Sequence, residues 1–156
     1  MVNYTIMIVG NGGVGKTTFI QYCQLGVFER MYKSTFGVIA YTCIVGLDTL
    51  TIIDTAGQEM YSTIRYNEKI DGLIIMYNPD DKITCDNVSY WYAKLVKTYG
   101  HVPTVLCGNI RYPLNTKAGK LPLIKTATHS MISTKSGHNC DEPFTILINQ
   151  MPRNLI

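Results

Sequence analysis

The apolar positions of this chain follow two periods. Tyr4 to Val9 is a short apolar run closed by Gly10, the pattern of a buried strand. Lys16 to Leu25 reads as a helix. Gly37 to Val45 and Leu47 to Ile53 are β-rich runs on either side of a tight turn, Val45-Gly46-Leu47-Asp48, and predict a hairpin. Gly72 to Tyr77 is a further buried strand. Val88, Trp91, Tyr92, Leu95, Val96 and Tyr99 recur at helical spacing and predict a helix with one face on a sheet. Pro103 to Cys107 predicts a strand ending at Gly108. Residues 111–129, broken by Pro113, Gly119 and Pro122, predict no element. Ser130 to Ile132 suits a short last strand. Phe144, Leu147, Ile148 and Met151 predict a final helix, with Asp141 as a candidate cap.

Strands and helices alternate. The expected fold is therefore α/β: a mainly parallel six-stranded sheet, one antiparallel hairpin-linked strand, and helices on both faces. Sheets of this kind bind ligands at the carboxyl ends of their strands. The 156 residues fit one domain, residues 1–156. A hydrophobic content of 46% excludes a disordered chain, and repeats and low-complexity tracts are absent. No apolar run approaches a membrane span. A cleaved signal peptide is not expected, because the first apolar stretch lacks a basic flank and stops at Gly10.

Cysteine and charge refine this outline. Cys23, Cys43, Cys85, Cys107 and Cys140 are odd in number and include no CxxC pair. Thiols of a reducing compartment suit them better than a disulfide framework or a zinc site. The net charge of +3 is unevenly placed. No Asp or Glu lies between Asp86 and Asp141, whereas Lys94, Lys97, Arg111, Lys117, Lys120, Lys125 and Lys135 all do. Two readings remain open: a solvated basic face, or a docking face for an acidic partner or polyanion. Basic-aromatic interleaving of the nucleic-acid-tracking kind is missing, so no nucleic-acid partner is expected.

Two motifs carry chemistry. Gly10-Asn11-Gly12-Gly13-Val14-Gly15-Lys16-Thr17 fits G-x-x-x-x-G-K-S/T, directly after a strand and before a helix. Its glycines let backbone N–H groups surround a phosphate, and the helix adds its positive end. Lys16 can reach the β- and γ-phosphates, and the Thr17 hydroxyl can ligate Mg²⁺. Thr18 continues this set. The second motif is Asp54-Thr55-Ala56-Gly57-Gln58-Glu59, at the end of the second hairpin strand. Asp54 is placed for the outer shell of the metal, Gly57 can offer its N–H to a γ-phosphate, and Gln58 can orient an attacking water.

With these motifs the chain resembles the small Ras-like GTPases, and within them the Ran branch. The Ran-like stretches are Gly26-Val27-Phe28-Glu29-Arg30, Thr35-Phe36-Gly37-Val38, the Asp54 to Glu59 block, Asn87-Val88 followed by Trp91, Leu95-Val96, Val105-Leu106-Cys107-Gly108-Asn109, and Glu142-Pro143-Phe144. The resemblance implies GTP or GDP and Mg²⁺ as ligands. It implies that Thr35 closes on Mg²⁺ and the γ-phosphate, that Phe28 packs against the base, and that Tyr32 lies near the phosphates. It places Tyr61 and Arg65 in the second switch. The partners implied are nuclear transport receptors, a Ran-type exchange factor and a GTPase-activating protein. A soluble monomer shared between nucleus and cytoplasm is expected. The terminal Met151-Pro152-Arg153-Asn154-Leu155-Ile156 lacks a CaaX cysteine, so no prenyl anchor is expected.

The resemblance breaks at the base. The family reads guanine with N-K-x-D, and here that place holds Asn109-Ile110-Arg111-Tyr112. The family's aspartate accepts from N1–H and the 2-amino group of guanine; a phenol cannot accept both. The next base motif, usually Ser-Ala-Lys, reads Ser133-Thr134-Lys135. The second switch is also about two residues shorter between Arg65 and Gly72, and the acidic tail of the Ran branch is missing. Phosphate binding should survive, with weakened guanine selectivity and slow hydrolysis. A binding module that mimics Ran, its nucleotide structural or absent, is the alternative. A small-molecule kinase fits poorly, since no arginine-rich lid is evident.

Overall fold

The computed structural model describes residues 1–22, 29–33, 38–55, 66, 68–111 and 121–153. One sheet of seven strands runs through them, in the order β2-β3-β4-β1-β5-β6-β7. The strands are β1 (Asn3–Gly10), β2 (Glu29–Lys33), β3 (Val38–Val45), β4 (Asp48–Asp54), β5 (Gly72–Tyr77), β6 (Thr104–Asn109) and β7 (Thr128–Ile132). The helices are α1 (Lys16–Ile20), α2 (Lys82–Tyr99) and α3 (Glu142–Gln150). All six expected strands are present. The seventh, β2, adds antiparallel to β3 at the sheet edge, with Tyr32 opposite Ile39. Its sequence, Glu-Arg-Met-Tyr-Lys, carries no apolar alternation, as suits an edge strand.

The central strand β1 pairs in parallel with β4 and β5, and β6 and β7 extend the parallel side. Parallel pairing brings the carboxyl ends of five strands to one edge, where Gly10, Asp54 and Asn109 stand. The hairpin β3–β4 closes with Val45 opposite Asp48, around Gly46 and Leu47.

Strands β5 and β6 are buried along their whole length and β1 over most of it, which is why their apolar runs are continuous, whereas β3 and β4 alternate between buried and more exposed positions. Successive side chains alternate sides. Ile6 and Ile8 join Phe19 and Ile20 of α1 and Phe144 and Leu147 of α3 in one core. Met7 and Val9 join Val88, Trp91 and Leu95 of α2 in the other. Phe19 and Phe144 stack with centroids 4.9 Å apart. Each large side chain buried in these layers contributes about 1.5–3 kcal/mol.

Helix α2 starts six residues before the periodic pattern does. Asp81 caps it, its carboxylate accepting from the Ile83 N–H at 3.0 Å. The first turn carries the exposed Ile83 and the Lys82–Asp86 ion pair, so hydrophobic period could not mark it. Asp141 does hold the N-cap position of α3, yet its side chain makes no capping hydrogen bond. Strand β7 begins two residues earlier than expected. The first helix, expected over Lys16 to Leu25, ends at Ile20 with Gln21 as its C-cap and Tyr22 in a turn; Cys23 to Leu25 lie outside the described residues, as does Gly37. Cys43, Cys107 and Cys140 are buried core thiols and Cys85 is half-buried. Burial pushes the Cys107 thiol well up, and the Cys85 and Cys140 thiols up. Among the described residues no helix is long and apolar enough to cross a membrane.

Candidate functional site

The loop from Gly10 to Lys16 leaves the carboxyl end of β1 and enters α1. Two of its glycines are required by space as well as by backbone angle. Gly10 has φ 150°, and a Cβ there would lie 2.4 Å from the Met76 carbonyl oxygen. Gly15 has φ 97°, and a Cβ there would lie 2.7 Å from Asn109 Nδ2. The Lys16 ammonium is folded back over this ring. Its Nζ donates to the Gly10 carbonyl at 2.7 Å and the Asn11 carbonyl at 2.9 Å, with the residue 6% exposed. A cation is thus fixed over the backbone of the glycine loop.

At the far end of the loop Thr17 Oγ1 donates to Asp54 Oδ2 at 2.7 Å. Thr55 Oγ1 donates to the Ile8 carbonyl at 2.8 Å and ties the end of β4 to β1. A hydroxyl and a carboxylate side by side form a hard oxygen donor set, of the kind Mg²⁺ uses together with phosphate and water oxygens. The residues present therefore fit that ion, with Thr17 and Asp54 as the groups that would hold it.

The third wall comes from β6 and the turn after β7. Asn109 is buried. Its Nδ2 donates to the Val14 carbonyl at 2.9 Å and to Thr134 Oγ1 at 3.1 Å, and its Oδ1 accepts from the Thr134 N–H at 3.1 Å. Tyr22 Oη donates to the Thr134 carbonyl at 2.7 Å. One side chain thus latches the phosphate loop to the 133–138 turn. Between them opens a cavity of about 500 Å³, lined by Gly13, Gly15, Thr18, Asn109, Arg111, Thr134 and Lys135.

The structure brings together Asn11, Gly12, Gly13, Gly15, Lys16, Thr17, Thr18, Asp54, Asn109, Thr134 and Lys135. Val14 takes part through its carbonyl, because its side chain is buried in the core. Ser133 closes the turn, its N–H donating to the His138 carbonyl at 3.0 Å, and does not line the cavity. Phe28, Thr35, Gly57, Gln58, Tyr61, Arg65 and Tyr112 lie outside the described residues, and of Tyr32 only the backbone is described.

Two features escaped the sequence reading. The Trp91 indole N–H donates to Asn11 Oδ1 at 3.2 Å, so α2 supports the phosphate loop directly. Arg111 reaches across the cavity, and its Nη2 donates to the Gly13 carbonyl. The Ile110 N–H meanwhile continues the ladder to the Ile132 carbonyl at 2.8 Å.

A glycine loop between the central strand and a helix, with a buried lysine over it and a hydroxyl–carboxylate pair at its end, defines a P-loop nucleotide-binding α/β domain. Comparison with protein families matches residues 5–153 to the Ras family, and the chain belongs to that family. Its members are small GTPases, nucleotide switches that take guanine nucleotide and Mg²⁺.

Proposed function

We propose that this protein is a Ran-type, Mg²⁺-dependent GTP-binding switch with slow hydrolysis and weakened guanine selectivity, acting in or interfering with nucleocytoplasmic transport. The observation that carries the nucleotide part is the Lys16 ammonium, held at 2.7 and 2.9 Å by loop carbonyls beside the Thr17–Asp54 pair. In this reading Lys16 and the loop N–H groups bind the β- and γ-phosphates. Thr17, Thr35 and, through the outer shell, Asp54 would hold Mg²⁺, which when bound would supply positive charge to the phosphate oxygens. Gln58 orients the attacking water and Gly57 bonds the γ-phosphate. Fast turnover would draw an arginine from a GTPase-activating partner.

The Ran assignment rests on the Trp91 helix, anchored on Asn11, and on the Val105 to Asn109 strand. It carries with it nuclear transport receptors and a Ran-type exchange factor as partners, a monomeric state, and residence in nucleus and cytoplasm. The loss of the motif's Lys and Asp at Ile110 and Tyr112 favours a second reading: a Ran mimic that binds transport receptors or Ran regulators with little or no nucleotide turnover.

Calorimetry with GTP and Mg²⁺ tests the nucleotide part. Lys16→Ala deletes charge-assisted bonds of about 1.5–3 kcal/mol each, so affinity should fall about 100-fold or more. Unchanged affinity would remove the loop from the site. Extraction of the purified protein, followed by chromatography, separates a nucleotide-loaded switch from a nucleotide-free mimic.

A further inference from the structure

The phosphate loop is held from two sides. On one, Asn109 of β6 donates to the Val14 carbonyl at 2.9 Å. On the other, the Trp91 indole N–H of α2 donates to Asn11 Oδ1 at 3.2 Å. Gly12 and Gly13, between these holds, are exposed. An indole nitrogen only donates, so it must meet the oxygen of the Asn11 amide, and the orientation of that amide follows. The Asn11 backbone carbonyl is in turn a junction of the loop. It accepts from the Lys16 ammonium at 2.9 Å and from the Val14 N–H at 3.4 Å. Trp91 is 1% exposed and packs in the core layer with Met7 and Val9. The Lys94 ammonium lies 5.4 Å from the centroid of its ring. The indole is thus fixed by packing, whereas the loop it meets contains Gly10, Gly12, Gly13 and Gly15 and has little stiffness of its own.

We propose that Trp91 is a positioning residue of the phosphate site: its indole N–H anchors Asn11, and through the Asn11 carbonyl it sets where the Lys16 ammonium stands. The proposal rests on the reading of the loop as a phosphate site and adds to it a residue of α2, 80 positions from Asn11. Without the anchor Asn11 samples other orientations, and only part of the population holds Lys16 ready for phosphate. Apparent affinity falls by that fraction. The net worth of one neutral hydrogen bond corresponds to about 2- to 10-fold in a binding constant. The anchor touches the loop alone, so the loss is the same with or without a base on the ligand.

The chain has a single tryptophan, so its indole N–H gives one resonance in a proton–nitrogen correlation spectrum. Asn11→Ala should move that resonance upfield, as loss of an acceptor does. Tripolyphosphate with Mg²⁺ should move it in the parent and move it far less in Asn11→Ala, a response that a purely structural tryptophan would not show. Calorimetry with GTP and with tripolyphosphate, each with Mg²⁺, should show a fall of about 2- to 10-fold for both ligands in Asn11→Ala and in Trp91→Phe. The double variant should fall no further, because both changes break one bond. Trp91→Phe keeps a ring in the core, and if it does not fold, Asn11→Ala and the indole resonance carry the test. An indole resonance indifferent to Asn11→Ala overturns the proposal, as does undiminished affinity in either folded variant. Additive losses in the double variant overturn it too, since the residues then act separately. A parent that binds neither GTP nor tripolyphosphate overturns the phosphate-site reading itself, and the proposal with it.

Discussion

Asn109→Ala should unlatch the nucleotide site without any ligand being present. Asn109 is 3% exposed and spans two loops that are far apart in the chain. Truncation leaves the Val14 carbonyl and the Thr134 N–H without the partners they have at 2.9 and 3.1 Å. The Val14 bond is fully buried, and an abandoned buried acceptor costs about 1–3 kcal/mol. The Thr134 N–H lies where water can reach in part, so its loss costs about 0.5–1.5 kcal/mol. Together the substitution should remove about 2–4 kcal/mol. Urea unfolding followed by circular dichroism measures this. With a slope of about 1–3 kcal/mol per molar, the midpoint should fall by about 1–2 M at unchanged slope. Thr134→Val removes the hydroxyl part alone, and a double-mutant cycle isolates its coupling to Asn109. A loss below about 0.5 kcal/mol would refute the latch, since surface substitutions alone produce changes of that size.

Two more outcomes follow. Gln58→Leu should slow single-turnover phosphate release while leaving GTP affinity nearly intact, and equal rates for both proteins would favour the mimic. His129, on β7, is half-buried beside the Tyr77 ring, and its Nε2 is buried without a hydrogen-bond partner among the described residues. Desolvation lowers its pKa below the ordinary 6.5 despite an opposing bond to the Pro122 backbone. The unfolded chain therefore takes up the proton first, and stability should fall as pH drops from 6.5 toward the depressed native value. Thermal melts between pH 7.5 and about 5.5 would show the decline, and His129→Leu should flatten it. An equal slope in the variant would mean another group titrates there.

The sequence by itself determined the phosphate half of this protein. Gly10 to Thr17 is contiguous, and its meaning depends only on a strand before it and a helix after it. Strands β1, β5 and β6 were legible because both of their faces are covered, so their apolar runs are nearly unbroken, and the β3–β4 hairpin was legible from its β-rich runs around a tight turn. The Trp91 helix was legible from its period, except for a polar first turn whose start is set by a cap and not by burial. Tertiary structure decided the rest. Strand β2 exists because β3 offers a sheet edge, not because its own residues alternate. The Asn109 latch joins positions 95 and 25 residues apart, the Trp91–Asn11 bond spans 80, and Arg111 meets Gly13 across 98. No local period or motif encodes contacts at those separations. They arise because parallel pairing stacks the carboxyl ends of β1, β4, β5, β6 and β7 along one edge, so that loops distant in the chain share one cavity.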